Sequence, residues 1–163
     1  ADTPRYLFDL VTAEDGQLVG RPVNQFVQLA CFNKERMEVP PGTLKDMEQE
    51  SESNTFGMAL QLKDLFWSAE AFDAGEAMEA ALAKRPPDSD RQSKVTQWLH
   101  WLESASYQQN IRFLNDQRSL RRALISGELD WITCWSSSLR ELREQMKDKL
   151  ALAPLPTGPS TRL

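Results

Sequence analysis

The chain has little of what most enzymes need. It holds one histidine, His100, so no histidine pair is available for a metal or a relay. His100 lies between two tryptophans in "WLHWLES", and its plain reading is a surface or half-buried helix residue. No GxSxG, HExxH, P-loop or GxGxxG occurs. Carboxylates are plentiful, but none pairs off in a way that singles out acid-base chemistry. An enzyme is therefore not expected, nor a cofactor or metal. No apolar run approaches the roughly 20 residues of a membrane span. The first ten residues lack the basic start and long apolar core of a leader. The expectation is a cytosolic chain, or one whose leader was removed before this numbering begins. With a net charge of −5, the chain lacks the basic stripe of a general nucleic-acid binder.

Cysteine is scarce as well. Cys31 and Cys134 form no CxxC pair and are too few for a disulfide scaffold. Each lies in an apolar, strand-like run, so a buried free thiol is the first reading. A bridge between neighbouring strands stays open.

What is present is an ordinary globular composition, 40% hydrophobic and 26% charged, in 163 residues, which suits one domain. Apolar runs at Phe26–Phe32, Phe56–Leu60, Leu129–Trp135 and Leu150–Leu155 read as strands. Asp9–Val23 reads as a turn between short extended pieces, with Glu14-Asp15-Gly16 as the turn chemistry. Pro40-Pro41-Gly42 is a break, after which Thr43 caps a helix from Leu44. Ser51–Thr55 reads as a loop. Lys63–Ala83 is helix-rich with an interruption near Gly75. After Pro86-Pro87, Ser89 or Asp90 caps a helix whose stripe is Val95, Trp98, Leu99 and Leu102. Asn115 or Asp116 caps another, with Leu120, Ala123 and Leu124 inward and Gly127 as its stop. A last helix opens at Ser136-Ser137-Ser138 and turns Leu139, Leu142 and Met146 inward. Strands alternating with helices predict an α/β fold with a small, at least partly parallel sheet.

Five tryptophans are many for this length. In open α/β sheets ligands gather outside the carboxyl ends of strands. Trp135 follows the Leu129–Cys134 run, and Phe66 and Trp67 follow Phe56–Leu60, so these aromatics are the ligand-binding candidates. Their rings can stack on the apolar faces of a sugar. Ser136 and Ser137, with the free N–H groups of a helix start, can bond its hydroxyls.

Five stretches, taken in order, carry a family resemblance. "DLVTAEDGQLVGRPV" resembles a turn leading into a first hinge strand. "VQLACFNKERME" resembles a strand ending in Tyr-Asn-Lys, here Phe32-Asn33-Lys34. "VPPGTLKDM" resembles a Pro-Pro-x-Thr-Trp-Asp-Glu-Leu helix start, with Leu44 in place of Trp. "LRRALISGELDWITCW" resembles a helix, strand and ligand-side loop. "LALAPLPTGPS" resembles a closing hinge strand. Together they resemble the extracellular solute-binding proteins of the maltose-binding type, which serve bacterial ABC transporters. The resemblance runs from about Leu7 to Pro159. It implies one lobe, mainly the C-terminal one, of the two-lobed type II periplasmic-binding-protein fold. Residues 1–21 would be a lead-in or remnant of the preceding lobe, and 157–163 a loose tail. It implies a sugar-like ligand held at Phe66, Trp67 and Trp135, with Asn33 and Lys34 structural. The implied partners are a carbohydrate-like small molecule, a transporter permease and a missing N-terminal lobe, with no nucleic acid. The implied location is periplasmic or extracellular, with lipid anchoring of the full-length parent left open. Cys134-Trp135-Ser136-Ser137 replaces the family's Gly-Pro-Trp, which leaves the substrate class open. The alternative is a single-lobe interaction or sensor module derived from such a protein.

Overall fold

Thr43 begins its helix as the break at Pro40-Pro41 leads one to expect. Its hydroxyl accepts the Asp46 N–H at 3.0 Å, and the Asp46 carboxylate accepts the Thr43 N–H at 3.2 Å. This reciprocal cap satisfies donors that a helix start leaves over. The computed structural model describes residues 27–53, 56–76, 80, 83–86 and 88–158. The expected turn at Asp9–Val23, the 1–21 lead-in, the first residue of the Phe26 run, Thr55 and residues 159–163 lie outside these.

The strands are β1 (Gln28–Asn33), β2 (Met58–Gln61), β3 (Ile111–Leu114), β4 (Trp131–Trp135) and β5 (Leu150–Ala153). The helices are α1 (Leu44–Ser53), α2 (Phe66–Glu70), α3 (Ser89–Tyr107), α4 (Gln117–Ser126) and α5 (Leu139–Met146). Short 3-10 turns occupy Leu62–Asp64, Ser136–Ser138 and Lys147–Lys149. The sheet order is β3-β2-β4-β1-β5. β2 lies parallel to β3 and to β4, while β1 runs antiparallel to β4 and β5. The sheet is mixed because parallel neighbours need crossover helices, and α3 and α4 supply them.

Helices cover both faces of the sheet, so its strands read as continuous apolar runs rather than as alternation. On one face Leu29, Ile132 and Ala59 meet Leu120 and Leu124 of α4 and Leu142 of α5. On the other, Ala30, Phe32, Met58 and Trp131 meet Leu44 and Met47 of α1 and Trp101 of α3.

Several expectations need correction. α1 continues through Ser53, and Ser51 is buried on its inner side, so Ser51–Ser53 is not a loop. Asp88, rather than Ser89 or Asp90, caps α3: its carboxylate accepts the Arg91 N–H at 2.7 Å. The stripe of α3 is rotated from the expected one. Trp98, Trp101 and Ala105 are buried, whereas Leu99 is 53% exposed. β3 was not expected at all. Its Ile111 and Phe113 alternate with Arg112, but four residues are too few for that period to stand out. Asp116 caps α4 and Gly127 ends it at φ 83°, a left-handed position glycine adopts without a Cβ penalty.

The free-thiol reading is overturned. Cys31 on β1 and Cys134 on β4 form a disulfide, with Cα atoms 6.0 Å apart. In register, Cys31 faces Ile132, so Cys134 sits diagonally across on the same face. That lies within the Cα range a bridge spans.

Two further sets of contacts pin the sheet. At the end where β1 finishes, the Asp130 carboxylate accepts the Gly57 N–H at 3.1 Å and pairs with Arg36 Nε at 2.7 Å. The Asp130 carbonyl accepts the Asn33 N–H, and the Lys149 carbonyl accepts that of Lys34. Asn33 and Lys34 therefore fasten the β1 turn to β4 and β5. At the other end, the chain after β5 crosses the molecule as a strap. Thr157 donates its N–H to Gly42 and accepts that of Leu44. Gly158 lies so close to the Ala71 carbonyl that a Cβ would collide with backbone. Gly158→Ala is expected to lift the strap and cost about 1–3 kcal/mol, the scale of overpacking. A urea denaturation curve with an unshifted midpoint would contradict this.

Candidate functional site

The carboxyl ends of the parallel strands are Gln61, Leu114 and Trp135. Because β1 is antiparallel, its start at Val27 and Gln28 lies at the same edge. The sequence candidates gather there. Trp135 closes β4 and is half-buried, on the same sheet face as Thr133 and Trp131. Phe66 and Trp67 open α2, one short turn after β2, and Trp67 packs half-buried against that same side of the core. Phe66 is 63% exposed, with its ring centroid 6.3 Å from that of Trp98. Ser136 and Ser137 do not open an α-helix directly. They form a 3-10 turn, and α5 begins at Leu139. The Ser136 hydroxyl accepts the Val27 N–H at 3.0 Å, and the Ser136 N–H donates to the Val27 carbonyl at 2.8 Å. Ser136 therefore ties β4 to β1, and Ser137 is the exposed hydroxyl of the pair.

The edge also holds an amide network that sequence reasoning missed. Gln117 Nε2 donates to Gln61 Oε1 at 2.6 Å and lies 3.4 Å from the Thr133 carbonyl. The Thr133 hydroxyl accepts the Gln61 N–H at 3.3 Å. Gln28, opposite Trp135 in register, lies 3.4 Å from the Asp64 carbonyl through Nε2. Gln117 Oε1 is buried and has no donor among the described residues. The available signal was weak: a single polar residue at the end of Met58-Ala59-Leu60, and the residue just after a helix cap. With β3 unseen, nothing placed Gln117 beside Gln61.

Charge at the edge is modest. Asp116 is held below the usual carboxylate range, first by the Ser119 backbone N–H and then by the Ser119 hydroxyl. The α4 start is thus already served by an anion of the chain itself. Arg121 is engaged with Glu141 at 3.1 Å and lies 3.4 Å from the Ser138 hydroxyl. His100 lies exposed on α3, its Nδ1 3.8 Å from Glu103. Among the described residues, no group of three or more His, Cys, Asp or Glu is placed to hold a metal ion.

Two cavities compete for attention. The larger, about 640 Å³, lies at the opposite edge, between the Asn33–Arg36 turn and the ends of α4 and α5. Its walls include Glu35, Arg36, Lys147, Asp148 and Lys149, with no aromatic among the described residues. The smaller, about 240 Å³, lies between α2 and the strap and is walled by Trp67. The strand-end edge is the stronger candidate despite the volumes. Among the described residues it holds aromatic rings, amides and hydroxyls supplied by the ends of several elements, the chemistry a strand-end ligand site uses.

No protein-family profile matches the chain, and no curated protein matches it in sequence. Solved structures do. One is the GacH receptor of Streptomyces glaucescens, solved without ligand and with acarbose, and compared there with acarbose-loaded maltose binding protein of Salmonella typhimurium. The match has a TM-score of 0.64 at 13% identity and covers 84% of this chain. The chain spans only 39% of the receptor. The likeness is one of fold: the five-stranded mixed sheet flanked by helices matches part of that receptor.

Proposed function

We propose that this chain is the C-terminal lobe of a solute-binding protein and supplies one wall of a cleft for a sugar-like ligand. The observation that carries this is the strand-end edge, which holds Trp135 at the end of β4, Phe66 and Trp67 at the start of α2, and the Gln61–Gln117 amide pair between β2 and α4. Sugar rings present apolar faces and hydroxyls that both donate and accept. Indole and phenyl rings match the first, and amides and serine hydroxyls the second. The ligand would be passed to the permease of an ABC transporter, and an N-terminal lobe would form the opposite wall.

A periplasmic or extracellular setting draws support from the Cys31–Cys134 bridge. Such bonds persist in oxidising compartments and are rare in a reducing cytosol. No helix among the described residues is long and apolar enough to cross a membrane.

Isothermal titration against mono- and oligosaccharides, with tryptophan fluorescence in parallel, tests the reading. One wall buries less of a ligand than two, so weak but saturable binding is expected. Trp135→Ala should weaken it about tenfold or more, as for an aromatic anchor contributing ~2 kcal/mol. Binding untouched by that change would remove Trp135 from the site. The single-lobe interaction module is the second reading, and exposed Leu62 and Phe66 at the same edge favour it. A parent gene of single-lobe length, with no sugar response, would decide for it.

A further inference from the structure

The small cavity beneath the strap has an uneven chemistry. Its walls are Trp67, Glu70, Ala71, Leu155, Pro156 and Thr157. Drug-sized ligands fill roughly 300–1,000 Å³, so about 240 Å³ suits a single ring. The indole, Leu155 and Pro156 give it apolar sides. Among the described residues Glu70 is the one ionisable side chain on this wall, with no lysine, arginine or histidine beside it. Glu70 follows Trp67 by three residues, is exposed, and makes no ion pair among the described residues. Its carboxylate rests over Gly75, where a Cβ would collide with it, so the missing side chain leaves it room there. The Trp67 indole N–H is buried without an acceptor among the described residues.

We propose that this cavity is a subsite for one amino-bearing sugar ring, with Trp67 against its apolar face and Glu70 pairing its ammonium. An unpaired carboxylate beside apolar walls attracts a cation and repels another carboxylate. An aromatic face adds to the attraction for a cation. The subsite therefore ranks rings by charge: amino sugar first, neutral sugar next, sugar acid last. The inference rests on the sugar-binding reading above and names the ring that the α2 side of the edge prefers.

The test is tryptophan fluorescence titration of the whole chain with glucosamine, glucose and glucuronate near neutral pH. Glucosamine is expected to bind about threefold to fivefold tighter than glucose, the scale of an exposed ion pair. Glucuronate should bind weakest. Glu70→Gln should erase the ranking, bringing glucosamine, glucose and glucuronate to one common affinity. Equal affinities for the three sugars, or a ranking that survives Glu70→Gln, overturns the subsite while sugar binding itself stands. No response to any sugar, maltose included, overturns both the subsite and the sugar-binding reading.

Discussion

Replacing both Cys31 and Cys134 by alanine is expected to cost about 4–5 kcal/mol, since the bridge closes a loop of about 100 residues in the unfolded chain. The two positions are 103 residues apart in sequence and both are fully buried. The bond joins β1 to β4, at the place where the sheet changes from parallel to antiparallel. Without it the unfolded chain regains freedom, and two small gaps open on the α4–α5 side of the sheet. At roughly 2–4 °C per kcal/mol for a domain of this size, the melting temperature should fall by about 10–20 °C. Circular dichroism melts of the double variant, and of the parent with and without reductant after unfolding, check this. A fall of only a degree or two would mean that sheet packing, not the bridge, holds β1 to β4.

Trp131→Ala is the second large effect, expected at about 3–5 kcal/mol. Trp131 has no exposed surface and opens β4, opposite Phe32 of β1 and Met58 of β2. It is the largest fully buried side chain on the face that α1 and α3 cover. Truncation leaves a cavity where β4 meets β1 and β2 beneath α1 and α3. Trp131→Phe should cost far less. The indole N–H is buried without an acceptor among the described residues, so phenylalanine forfeits no hydrogen bond and removes an unpaired donor. Chemical denaturation of the two variants separates these terms. Equal losses for Ala and Phe would mean that the indole N–H has a partner whose loss dominates.

The legible parts of the fold were those fixed by local chemistry. Thr43, Asp116 and Gly127 mark helix ends because a hydroxyl, a carboxylate and a left-handed glycine answer backbone groups within one turn. The inward residues of α4 and α5 followed from a 3.6-residue period over ten and eight residues. The stripe of α3 misled because Leu99 and Trp101 are both large and apolar. Only the neighbours in space decide which is covered. Phe66, Trp67 and Trp135 could be placed at strand ends because a ring just after an apolar run has few other positions to take. Gln61 and Gln117 could not, since they are 56 residues apart and meet only when β2 and α4 come together at one edge.

The sequence by itself determined an α/β chain, its helix starts and stops, most of its strands, and a poor inventory for catalysis. Each of these depends on groups a few residues apart. The tertiary structure alone decided the strand order, β3, the oxidised state of Cys31 and Cys134, the amide pair and the cavity beneath the strap. Each of those requires groups distant along the chain to come within a few ångströms, and only sheet pairing and helix packing set such distances.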